Sequence, residues 1–231
     1  MHPLSEEIRD WLQSHADAAG GAPTGYTGSP RPQYGVRVPD LRAFLREWEH
    51  RAALDMSTWI NVLDDLYQGD YYEERTAAGM IFARFKKYRQ QLDFATLDRW
   101  LGQLEGWAEV DTTCQSTYTA RELLSNWDAW ADFLTQLSTD DNINKRRASL
   151  ILLVKPLRES PDRRLLELGL AQVERLKHER DKLITKAVSW VLREGTKQHT
   201  PAIRAYVGDN AASLASHVVR EVRRKLDTGK R

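Results

Sequence analysis

A recurrence along the chain limits its fold more than any single motif does. The segments EERTAAGMIFARF, EVDTTCQSTYTAREL, KRRASLILLVKPL and ITKAVSWVLREG can be laid over one another so that Arg75, Asp111, Arg147 and Lys186 correspond. The separations are 36, 36 and 39 residues. Each segment carries apolar residues at helical rather than alternating spacing. A period of this size fits a unit of two helices, which cannot bury its apolar face alone and gains a core by stacking on its neighbours.

The rest of the chain reads the same way. Ile8, Trp11 and Leu12 give a first helix its i, i+3, i+4 face, and Pro39 suits the first position of a second one. Further helices are expected over 57–68, 70–89, 94–105, 110–124 and 125–137. The second half continues with NINKRRASLILLVKPL, PDRRLLELGLAQVERLKH, DKLITKAVSWVLREG, TPAIRAYVGD and AASLASHVVREVRRKL. No segment combines period-two alternation with β-branched residues and a hairpin turn. The expected fold is all-α, a HEAT-like helical-repeat solenoid with a concave face, formed as a single domain over 1–231. Residues 1–38 supply an N-terminal helix and an irregular Gly/Pro-rich loop, and 39–231 the stacked helical pairs. The loop, residues 15–38, is the longest irregular stretch, and loops of that length in a compact domain are often functional.

The 231 residues are 41% hydrophobic and 29% charged, with eight Trp and eight Tyr, which favours a folded chain over a disordered one. No secretory signal pattern opens the sequence, and its best apolar run, ASLILLV, is too short to span a bilayer. The one cysteine, Cys114, rules out an intrachain disulfide and a Cys-based zinc cluster. A cytoplasmic, nucleoid-associated chain is expected, without a membrane partner. The net charge of +1 conceals an imbalance: residues 1–141 carry −10 and residues 142–231 carry +11. A basic half of that size can attract a polyanion such as nucleic acid. Equally, the two halves can simply solvate their helices and attract each other.

The register gives one short stretch, GWAEVD at 106–111, a chemical meaning. Trp107 and Asp111 stand four apart and so share a helix face. Stacking would set Asp111 in a row whose other members are Arg75, Arg147 and Lys186, and neighbouring cations favour the ionised carboxylate. Trp190 lies four after Lys186, so both aromatics can border the same surface. Trp11, Trp48, Trp59, Trp100, Trp127 and Trp130 sit among Leu, Ile and Ala and are expected in the core. Metal-ligand spacing among the six His, a phosphate-binding glycine loop, a G-x-S-x-G elbow and a Cys–His signature are all missing from the sequence. HERDK at 178–182 reads as an exposed helix junction. Any catalysis is therefore expected to use carboxylate, aromatic and cationic groups, with no metal and no cofactor.

With these residues in view, the chain resembles the AlkD family of HEAT-like alkylpurine DNA glycosylases. The likeness runs through Tyr26, Tyr34-Gly35-Val36, Pro39, WAEVD, DNINKRRA at 141–148 and KAVSWVLRE at 186–194. It departs from the family's pattern at Gly106 and Ala108, where a second Trp beside Trp107 is common, and at Asn144-Lys145, where a bulkier pair is usual. The resemblance implies hydrolysis of the N-glycosidic bond of cationic purines such as 3-methyladenine and 7-methylguanine in duplex DNA, for base excision repair. The base would stay stacked instead of being extruded into a pocket. Asp111, Trp107 and Trp190 would be the catalytic group. Arg147 would contact phosphate, Tyr26 would reach the DNA from the loop, and Lys145, Arg146, Lys186 and Arg193 would assist binding. The expected partner is alkylated duplex DNA, met by a monomer. Two other readings stay open: a relative that binds unusual DNA without cutting glycosidic bonds, and a HEAT-type protein-interaction scaffold.

Overall fold

A computed structural model describes residues 2–17, 20–23 and 25–229. Among these the chain forms thirteen helices and no strand. In order they are α1 (Pro3–Ser14), α2 (Val38–Arg51), α3 (Met56–Tyr67), α4 (Tyr72–Arg84), α5 (Lys86–Arg89), α6 (Phe94–Leu101), α7 (Gly106–Cys114), α8 (Ala120–Ser125), α9 (Trp127–Ser138), α10 (Ile143–Glu159), α11 (Arg163–Leu176), α12 (Lys182–Asp209) and α13 (Ser216–Thr228). The chain divides into two compact units, Met1–Thr113 and Cys114–Arg231. The all-α expectation holds, and each recurring position, Arg75, Asp111, Arg147 and Lys186, lies on a helix: α4, α7, α10 and α12.

Short polar side chains start many of these helices. Asp55, Asp93, Asn142, Asp162 and Asp181 each accept a hydrogen bond from a backbone N–H of the first turn, at 2.7–2.9 Å. Such caps satisfy donors that the helix itself leaves unpaired, and each contributes about 1 kcal/mol. In the first unit α4 packs on α2 and α3. Its core is aromatic: Trp48, Trp59, Tyr67, Phe82 and Trp100 are fully buried, and Trp59 and Phe82 each meet Trp100 edge-to-face at 5.7 Å. In the second unit α10 packs on α9, α11 and α12, and α12 packs on α13. The core there is mainly aliphatic, with Leu150, Ile151, Leu153, Ile184, Leu192, Val218 and Val222 all buried, beside a buried Tyr118–Trp130–Phe133 cluster.

Several helix boundaries differ from those the periodicity predicts, each for a local reason. The segment 70–89 breaks at Phe85 because Arg89 folds back to donate to the Ala83 carbonyl, an acceptor freed where α4 ends. The segment 110–124 is interrupted because Thr119 and Glu122 form a capping box, which starts α8 afresh after the hydroxyl-rich QSTYT stretch. The segment 94–105 stops at Leu101, before the turn that leads into α7. Conversely, the two segments expected over 181–209 join into one bent helix, with non-helical backbone at His199. Pro201 has no N–H to donate to the preceding turn, and beside it the Thr200 hydroxyl donates to the Thr196 carbonyl at 2.5 Å. Of the six Trp expected in the core, four are buried. Trp11 and Trp127 are only half-buried, stacked on Phe44 and lying under the Arg164 guanidinium respectively.

Candidate functional site

In the first unit the site is built by a loop laid against the start of α7. Gly106 has φ +78°, and a Cβ there would stand 2.2 Å from the Gly28 carbonyl carbon. Glycine is thus required where the resemblance leads one to expect a second Trp, because the loop backbone occupies that space. The loop is fixed on both sides of this contact. The Ala108 amide donates to the Thr27 carbonyl at 3.2 Å, and the Trp107 Nε1–H donates to the Tyr26 carbonyl at 2.7 Å. The Tyr26 ring meets the Trp107 ring edge-on at 5.7 Å. Tyr26 is 63% exposed and Trp107 36% exposed, so the two present a paired aromatic surface to solvent. One turn further along α7, Asp111 is 7% exposed.

Buried glutamates fasten the loop, a role that sequence reasoning missed. Glu109 is fully buried, accepting from the Ser29 hydroxyl at 2.5 Å and from the Glu105 amide at 2.8 Å. Burial pushes its carboxyl above the usual range, although the Ser29 and Glu105 hydrogen bonds and the cations Arg75 and Arg31 pull the other way. Glu73 accepts from the Tyr34 and Gly35 amides at 3.0 and 2.8 Å. Glu74 accepts from the Tyr34 hydroxyl at 3.1 Å and from Arg9 at 2.6 Å. The signal was present in the register: Glu73 and Glu109 are also 36 apart, each two residues before a recurring position. Tyr72 belongs to the same cluster, its hydroxyl pushed up to about 12 by burial and by Glu109 and Glu73.

The recurring positions themselves divide by burial. Arg75 and Arg147 are each only 3% exposed, and each serves a backbone carbonyl: Arg75 Nε–H donates to Gly69 at 3.0 Å, and Arg147 Nη1–H donates to Leu183. Lys186 is exposed. In the second unit the structure thus brings Arg147 of α10 onto the first turn of α12, the helix that carries Lys186, Trp190 and Arg193. Trp190 is half-buried. Arg193 donates to the Ser189 carbonyl at 3.2 Å and lies 3.8 Å from Glu221. Lys145 pairs with Asp140 at 3.2 Å, and Arg146 pairs with Glu179 at 2.8 Å. HERDK is therefore more than an exposed junction, since Glu179 holds Arg146 and Asp181 caps α12.

Among the described residues no group of three or more His, Cys, Asp or Glu side chains is arranged to hold a metal ion. No helix among them is long and apolar enough to cross a membrane.

A family profile described as "DNA alkylation repair enzyme" matches residues 8–226. Among solved structures, one described as "Predicted DNA alkylation repair enzyme from Enterococcus faecalis" is similar in fold, with a TM-score of 0.71. It is 13% identical in sequence, over 97% of this chain and 95% of that one. A search of curated protein sequences gave no significant match.

Proposed function

Because the chain belongs to the DNA alkylation repair enzyme family, we propose that it acts in the repair of alkylated DNA as a glycosylase, hydrolysing the bond between deoxyribose and a cationic alkylated purine in duplex DNA. The observation that carries this reading is the arrangement on α7: a solvent-facing Trp107, pinned through its ring nitrogen, one turn before the carboxyl group of Asp111. A 3-alkyladenine or 7-alkylguanine already bears positive charge, so it leaves as a neutral base and needs little acid assistance. The carbon–nitrogen bond breaks with its electron pair going to the base, and the sugar takes on oxocarbenium character. Water then adds at the anomeric carbon and gives up a proton.

Asp111 is assigned both tasks in that sequence: electrostatic stabilisation of the sugar and orientation or deprotonation of the water. The electron-rich faces of Trp107 and Tyr26 suit a passing cationic sugar, and Trp190 is assigned a similar contact with the sugar–phosphate backbone. Lys186 and Arg193 are assigned to phosphate. Arg147, buried against the Leu183 carbonyl, is assigned to holding the start of α12 in place. Since the base itself has no pocket in this scheme, the lesion is recognised chiefly by its charge.

The test is release of base from methylated duplex DNA, with the products identified by mass. Wild-type protein is expected to release 3-methyladenine and 7-methylguanine. Asp111→Asn is expected to lose release by a factor on the order of 10²–10³ while binding duplex as before. Equal release by the two proteins would overturn the assignment of Asp111.

A further inference from the structure

α13 continues the recurrence by one more step. Laid on α12, its Val218 and Val222 fall on Ile184 and Val188, and all four are buried at 2% exposure or less. In that register Arg220 takes the place of Lys186, and Arg224 takes the place of Trp190. The two helices pack directly. Glu221, next to Arg220, accepts from the Ser189 hydroxyl of α12 at 2.6 Å and interacts with Arg193 and Lys186. Arg220 and Arg224 stand four apart on the side of α13 opposite Val218 and Val222, so they share one solvent-facing surface.

These cations differ from most others in the second unit. Arg146, Arg164, Arg204 and Arg193 all face carboxylates within 4 Å. The guanidinium groups of Arg220, Arg223 and Arg224 are exposed and form no hydrogen bond or ion pair among the described residues. Unpaired charge on one face costs self-repulsion and contributes nothing to packing, which points to a polyanionic partner.

We infer that Arg220 and Arg224 extend the phosphate-contacting row begun by Lys186, so that α13 grips the backbone of duplex DNA. This rests on the reading above that DNA is the partner.

The test measures binding of the full chain to unmodified duplex over a range of salt concentrations. Each lost phosphate contact lowers the slope of log affinity against log salt by about 0.9. The double variant Arg220→Ala/Arg224→Ala is therefore expected to lower it by about 1.8. Turnover on methylated duplex at saturation is expected to be unchanged, with a raised KM. Arg163→Ala, an exposed arginine paired with Glu167, is expected to leave the slope alone. A double variant with the wild-type slope, or an equal loss in Arg163→Ala, would overturn the role of α13. Wild-type protein that binds with the expected slopes but releases no base would instead overturn the glycosylase reading and leave this one standing.

Discussion

Gly106 shows how much of the site depends on one missing side chain. Its positive φ and the 2.2 Å clash that a Cβ would suffer with Gly28 both penalise Gly106→Ala. We expect a loss of roughly 1–3 kcal/mol, seen as a lower urea midpoint, together with weaker base release as the loop is displaced from Trp107. Glu109 supplies a pH signature. The folded chain holds its proton more tightly than the unfolded chain does, because burial disfavours the ionised form. Its contribution to stability is thus complete below the ordinary carboxylate range and is lost as pH rises through the raised value. Urea melts of wild type and Glu109→Gln at acidic and neutral pH should show wild type losing ground to the variant as pH rises. A gain with rising pH would show that the ionised form is the stabilised one.

The irregular segment before α2 behaves as an element in its own right, clasped at one end by Glu109 and at the other by Glu73. Glu73→Ala leaves two backbone amides without their acceptor, a loss of about 1–3 kcal/mol. Hydrogen exchange at Tyr34 and Gly35 should speed up while exchange in the α3 core stays slow. Unchanged exchange at those two amides would contradict the clasp. Helices were readable from the sequence because Ile8, Leu12, Leu45 and Leu63 advertise their faces by spacing alone. The clasp was not, because a buried glutamate looks like a solvated one until its distant partner is known. Phe85 and the 115–119 stretch were missed for a similar reason: the groups that end those helices, Arg89 and the Thr119–Glu122 box, act through particular hydrogen bonds and leave the apolar period intact. Trp107 and Asp111 could be singled out from spacing and register, but the loop that pins the indole could not.

At the scale of the whole chain, the charge split of −10 and +11 says less about binding than which individual cations are assigned to phosphate. Binding to duplex should weaken with salt, as phosphate contacts require, but with a slope set by the cations assigned to phosphate, Lys186, Arg193, Arg220 and Arg224, rather than by all 21 basic residues of the second half. Cys114 offers an independent check on integrity. It is the only thiol and is 2% exposed, so a thiol reagent should label the native chain slowly and one equivalent rapidly in denaturant. Fast labelling of native protein would contradict the packing around α7. The loop contacts also set an order of events during synthesis. Ser29 meets Glu109 across 80 residues and Tyr26 meets Trp107 across 81. On the ribosome the loop emerges long before either anchor exists. At about 5–20 residues per second, it waits roughly 4–16 s for them to be made.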